Sequence, residues 1–102
     1  MIEELVWMKG KTFSTLAQNK KFTVEVFNKA GVIVQVHNTG KNRSISWKEI
    51  DEALELLQQQ GSITQTQILA MGTRSSAYIV VFLSNLPGVS YKLNPIRLAF
   101  TK

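Results

Sequence analysis

The side chains whose types and spacing could do chemistry here are cations, hydroxyls and one aromatic ring. Thr73-Arg74-Ser75-Ser76, with Tyr78 two residues on, gathers a guanidinium, three hydroxyls and a phenol within six positions. An arginine can make a bidentate contact to guanine, and hydroxyls can bond base edges or phosphates. Lys41-Asn42-Arg43 suits a phosphate clamp, against the competing reading of a solvated loop with two charges. Lys92 and Arg97 flank Asn94-Pro95. If Asn94-Pro95 turns the chain, the two cations face each other, and an anionic partner would relieve their repulsion. A single strand broken by the proline is the other reading.

Catalysis has little to draw on. The sequence holds one histidine, His37, and no cysteine, which removes thiolate zinc sites, disulfides and cysteine nucleophiles together. Glu49, Asp51, Glu52 and Glu55 are spaced as the solvated face of a helix, with Glu49 engaged in capping. Gly10-Lys11-Thr12 and Gly40-Lys41-Asn42 imitate the end of a phosphate-binding loop, but the required earlier glycine is replaced by Leu5 and Gln35. The expectation is a protein that is not an enzyme, with no metal, no cofactor and no small-molecule substrate.

Charge points to the partner. Net charge is +5, unevenly spread. Residues 1–46 hold seven Lys/Arg against three Glu, residues 47–60 one Lys against four acids, and residues 61–102 four Lys/Arg and no acid. A surface that is positive outside one acidic island favours an anionic partner, nucleic acid above all, and DNA before RNA. A basic surface that serves only solubility is the plain alternative.

The elements that must position these groups are legible in part. Phe22, Val24 and Val26, then Val32, Val34 and Val36, alternate with the residues between them around Asn28-Lys29-Ala30-Gly31, which predicts an antiparallel hairpin. Thr12 to Leu16 offers a third strand, and His37 to Ser44 reads as a polar loop. Ser46 with Glu49, between Ile45 and Ile50, forms a capping box within a hydrophobic staple, and Gly61 marks the stop. Thr64 with Gln67, between Ile63 and Ile68, repeats the device ahead of Gly72. This second helix should bury Ile68, Leu69 and Met71.

A third helix follows from Thr73 or Ser75 to Leu86, although Tyr78–Leu83 also reads as a buried strand. As a helix it turns Ser76, Ile79, Val80, Leu83 and Leu86 inward, and leaves Arg74, Tyr78, Val81, Phe82 and Asn85 more to the outside. Two C-terminal strands flank Asn94-Pro95. The fold class is α+β in one domain, residues 1–102, mainly β over 1–44, helical over 45–88 and β over 89–102. The longest apolar run is seven residues, Ala77 to Leu83, far below the roughly 20 that span a bilayer. With an acidic start and no apolar leader, a cytoplasmic protein without a membrane partner is expected.

The order over residues 45–102, a capped helix, a short helix, a third helix and a basic β segment, resembles a winged-helix or helix-turn-helix DNA-binding domain. Aligning Gly72 with that family's turn glycine carries its DNA-reading surface onto Arg74, Ser75, Ser76 and Tyr78, with Lys92 and Arg97 as the wing. The resemblance implies a DNA-binding module, to which Lys41 and Arg43 in the preceding loop would add phosphate contacts beside those of Lys92 and Arg97. A homodimer fits as well, since such readers often pair to span two half-sites. The competing expectation is a protein-interaction or homo-oligomerisation domain, in which Tyr78, Val81 and Phe82 leave an apolar patch outside the core and a C-terminal strand offers an open edge.

Overall fold

In the computed structural model, which describes residues 3–100, a four-stranded sheet is followed by helices and a small C-terminal sheet. A 3-10 helix at Glu3–Met8 leads into β1 (Thr12–Ser14), β2 (Lys21–Phe27), β3 (Gly31–Val36) and β4 (Asn42–Ser46), an antiparallel meander in chain order. The helices are α1 (Trp47–Gln60), α2 (Gln65–Ala70) and α3 (Ser76–Ser84). A second antiparallel sheet takes β5 (Ser62–Thr64) between α1 and α2, and β6 (Val89–Lys92) and β7 (Arg97–Phe100) after α3, in the order β5-β7-β6.

Local side-chain chemistry sets the helix starts. The Ser46 hydroxyl accepts from the Glu49 amide at 3.2 Å while the Glu49 carboxylate accepts from the Ser46 amide at 2.9 Å, and Thr64 with Gln67 repeats both bonds. Such reciprocal bonds satisfy amides that a helix start leaves without partners. Gly61 ends α1 in the left-handed region at φ 78°, its amide returning to the Leu57 carbonyl.

The inner face of the first sheet, with Phe22, Val24, Val34 and Ile45, is wholly buried. It packs with α1 (Trp47, Ile50, Ala53, Leu57), α3 and the second sheet (Ile63, Leu98) into a single core drawn from both halves of the chain. Phe22 reaches α3 directly, with its ring edge-on to Tyr78 at 5.0 Å and to Phe82 at 6.3 Å. Trp47 ties the β2–β3 turn to α1, its ring against Phe27 at 4.8 Å and its indole donating to the Asn28 carbonyl.

Several expectations change. Residues 42–46 form a strand and not the end of a polar loop, because Arg43 and Ile45 alternate inward while Asn42 and Ser44 face out. Residues 62–64 insert an unforeseen strand between α1 and α2. Leu69 and Met71 are not buried: α2 is a short helix that seats only Ile68, leaving Leu69 56% exposed. Val81 and Phe82 are core residues and not outward-facing ones, since the first sheet covers the side of α3 expected to be free. That correction removes the apolar patch from the interaction reading and leaves it the edge strand β6.

Candidate functional site

The basic residues foreseen from sequence fall into two groups. The first centres on Arg43. Its register opposite Val34 places it on the inner face of the first sheet, at the edge strand, where the core gives way to solvent. The guanidinium carbon lies 5.6 Å from the centre of the Tyr78 ring, and Nη1 donates to the Arg74 carbonyl at 3.1 Å. Arg43 is thus held at two points: a cation over the face of an aromatic ring, and a hydrogen bond to the connection between α2 and α3.

Beside it opens a cleft of about 510 Å³. Lys20, Lys41 and Arg43 supply its cations, with Tyr78 and Val36 as its apolar wall. Asn38 and Thr39 of the β3–β4 turn add an amide and a hydroxyl, and the outward-facing Asn42 and Ser44 border it along the edge strand. Two turns bring these groups together. The β3–β4 turn is closed by Gly40 at φ 68°, whose amide donates to the Val36 carbonyl at 2.8 Å. The β1–β2 turn is closed by Thr15, whose hydroxyl accepts from the Lys20 amide at 3.0 Å. Because the His37 amide donates to the Lys21 carbonyl, Lys20 lies alongside the start of the β3–β4 turn. No carboxylate lines the cleft, so its cations reinforce one another's field.

The second group is Lys92 and Arg97, which are directly opposed in the β6–β7 register, both exposed, around a four-residue connection. The Arg97 guanidinium donates to the Ser62 hydroxyl at 3.3 Å. Leu93, at the tip, is 50% exposed.

The residues expected to read bases from α3 are placed otherwise. Ser75 and Ser76 are 4% and 6% exposed. Ser76 accepts from the Gln65 side chain at 3.4 Å, and Ser75 occupies the N-cap position without a side-chain capping bond. Tyr78 is half-buried against Phe22. Arg74 alone of the four is exposed, in the connection preceding the helix. A helix apolar on every side belongs in a core, and α3 buries Ile79, Val80, Val81, Phe82 and Leu83 together.

No family model, curated protein or solved structure matches this chain.

Sequence reasoning missed Lys20, Asn38 and Thr39. A signal did exist for Arg43: strand period two places residues 43 and 45 on one face, and Ile45 had to face inward. Nothing comparable announced Lys20, which arrives through the pairing of β2 with β3. Among the described residues, no helix is long and apolar enough to cross a membrane.

Proposed function

We propose that this protein is a small nucleic-acid-binding module, with DNA as its partner, that grips phosphates through the basic cleft. The observation that carries this reading is the convergence of Lys20, Lys41 and Arg43 on a concave surface without a carboxylate. Lysine and arginine side chains that replace condensed counterions bind any phosphate backbone, with an affinity that falls steeply with salt. Lys92 and Arg97 form a second basic patch. The order α1-β5-α2-α3-β6-β7 with sheet order β5-β7-β6 favours kinship in plan with winged-helix domains. In this reading the affinity comes from the cleft and the hairpin, and the third helix supplies Arg74 at its approach.

Fluorescence anisotropy of the purified protein with a mixed-sequence DNA across a salt series tests the proposal. Lys41→Ala/Arg43→Ala should weaken binding at every sequence and lower the slope of log K against log salt by about 1.4 to 1.8, one phosphate contact per residue removed. Absence of binding at low salt would refute it.

One observation favours a second reading, a protein-interaction domain. Leu69 and Leu93, 56% and 50% exposed, border a second hollow of about 320 Å³ between α2 and the β6–β7 tip. Light scattering across a concentration range tests self-association there, and a mass that stays monomeric in both wild type and Leu69→Glu would exclude a homo-oligomer.

A further inference from the structure

From the cleft's shape and lining we infer that its ligand is an unpaired nucleotide of a DNA strand, and that the protein prefers single-stranded DNA to duplex. The inference rests on the nucleic-acid reading above and adds the form of the partner.

Duplex sequence is read by a helix or a two-stranded ribbon that enters a groove; no helix here is placed to do so, and the β6–β7 ribbon holds its two cations outside the cleft. α3 is buried in the core. The exposed face of α1 carries Lys48, Asp51, Glu52 and Glu55, a net negative surface that a phosphate backbone repels. α2 spans six residues and presents Thr66, Leu69 and Ala70 outward.

The cleft, by contrast, is concave and of ligand-pocket size, since such pockets run from about 300 to 1,000 Å³. Duplex phosphates are met by projecting cations. A recess that sets amides beside cations and an aromatic wall suits a base turned out of any stack. Unpaired bases are held by stacking on aromatic rings or guanidinium planes and by hydrogen bonds to their exposed edges. Both means are present: Arg43 fixed over Tyr78, and the amide of Asn38 in the β3–β4 turn that borders the cleft. An amide can donate and accept at once, so it pairs with the edge of any base. Lys20 and Lys41 flank these groups and suit the phosphates on either side. Because Arg43 is already restrained by Tyr78 and the Arg74 carbonyl, little side-chain freedom remains for it to lose on binding.

The test compares a fluorescein-labelled 12-nucleotide DNA strand with the same sequence as duplex, in wild type and in Asn38→Ala. Asn38 is exposed, and circular dichroism checks that the variant is folded. The expected result is binding of the strand at least tenfold tighter than the duplex, with the variant losing about fivefold on the strand and little on the duplex. Equal or tighter binding of the duplex overturns the inference, as does a strand affinity indifferent to Asn38. In those cases salt-sensitive duplex binding that Lys41→Ala/Arg43→Ala weakens leaves the nucleic-acid reading standing. No binding of either form at low salt ends both.

Discussion

The Thr73 hydroxyl donates to the Glu49 carboxylate across 2.7 Å, joining the first turn of α1 to the segment that leads into α3. The same carboxylate accepts from the Ser46 amide and hydroxyl, each at 2.9 Å. One side chain therefore closes the cap of α1 and anchors the connection that carries Arg74. Thr73 in turn accepts from the Ser75 amide at 3.0 Å, which fixes the path of the chain into α3.

Glu49 gives the fold an acid-sensitive contact. Partial burial acts to raise its pKa, but the hydrogen bonds from the Ser46 amide, the Thr73 hydroxyl and the Ser46 hydroxyl outweigh it and hold the carboxyl below its ordinary 4.5. A group with a lowered folded-state pKa contributes stability that is complete above the unfolded value and lost as pH falls through the folded one. Glu49→Gln, which keeps an acceptor as Gln67 does in α2, should cost under about 1 kcal/mol at neutral pH. That cost should shrink at acid pH, below the ordinary 4.5, as the wild-type carboxyl takes up its proton. Urea unfolding of both proteins at the two pH values measures the difference.

Gly31 stands where β3 passes closest to β4. A Cβ built there would meet the Ile45 carbonyl oxygen at 2.1 Å and Ser46 Cα at 2.9 Å, both backbone atoms that cannot swing aside. Gly31→Ala should therefore destabilise by about 1–3 kcal/mol, the range for overpacking a filled site. Gly40→Ala meets no atom within 4 Å but sits at φ 68°, and its cost is the roughly 1–2 kcal/mol of a left-handed backbone. Loosening of the β3–β4 pairing separates the two cases. Amide exchange at Val32 and Ile45, paired across β3 and β4, should accelerate in Gly31→Ala beyond what its lost global stability explains, and not in Gly40→Ala.

Phe22 is wholly buried between the first sheet and α3. Phe22→Ala should cost about 3–5 kcal/mol, a large part of the 5–15 kcal/mol that holds a domain together. Thermal unfolding followed by near-ultraviolet circular dichroism should show a steep fall in melting temperature. Phe22→Leu should lose much less.

Lys92 and Arg97 oppose each other with no carboxylate partner among the described residues, a mildly unfavourable arrangement for the free protein. Lys92→Ala should raise the melting temperature by roughly 1–3 °C at low salt. The gain should vanish at 1 M salt, where the screening length is about 3 Å. Calorimetry at both salt concentrations checks this. If the β6–β7 hairpin touches DNA, the same substitution also weakens binding.

What could be read from the sequence was what short-range chemistry decides. The start of α1 rests on Ser46 and Glu49, three residues apart, and its end on Gly61. β2 and β3 follow from period-two alternation around Asn28, whose side chain accepts from the Ala30 and Gly31 amides. β4 escaped notice because only Ile45 among its five residues is apolar, and β5 because three residues hold no period. The outward face expected for α3 was misjudged because its cover comes from Phe22, more than fifty positions earlier. The candidate cleft was legible only as fragments: Lys41, Arg43 and Tyr78 were singled out separately. Their meeting depends on β4 pairing with β3 and on α3 lying beneath the sheet, relations between segments far apart in the chain.

The contact of Phe22 with Tyr78 and Phe82 also bears on the order in which the protein is made. β2 is synthesised early, but the α3 residues that close over Phe22 are translated more than fifty residues after it. Until α3 emerges, Phe22 lacks its cover from Tyr78 and Phe82 even where α1 has packed on the sheet, and a nascent meander with part of its apolar face bare and open edges is prone to stray pairing. The earliest half of the molecule is then the last to become secure, and the polar, cationic edge strand β4 guards it in the interval.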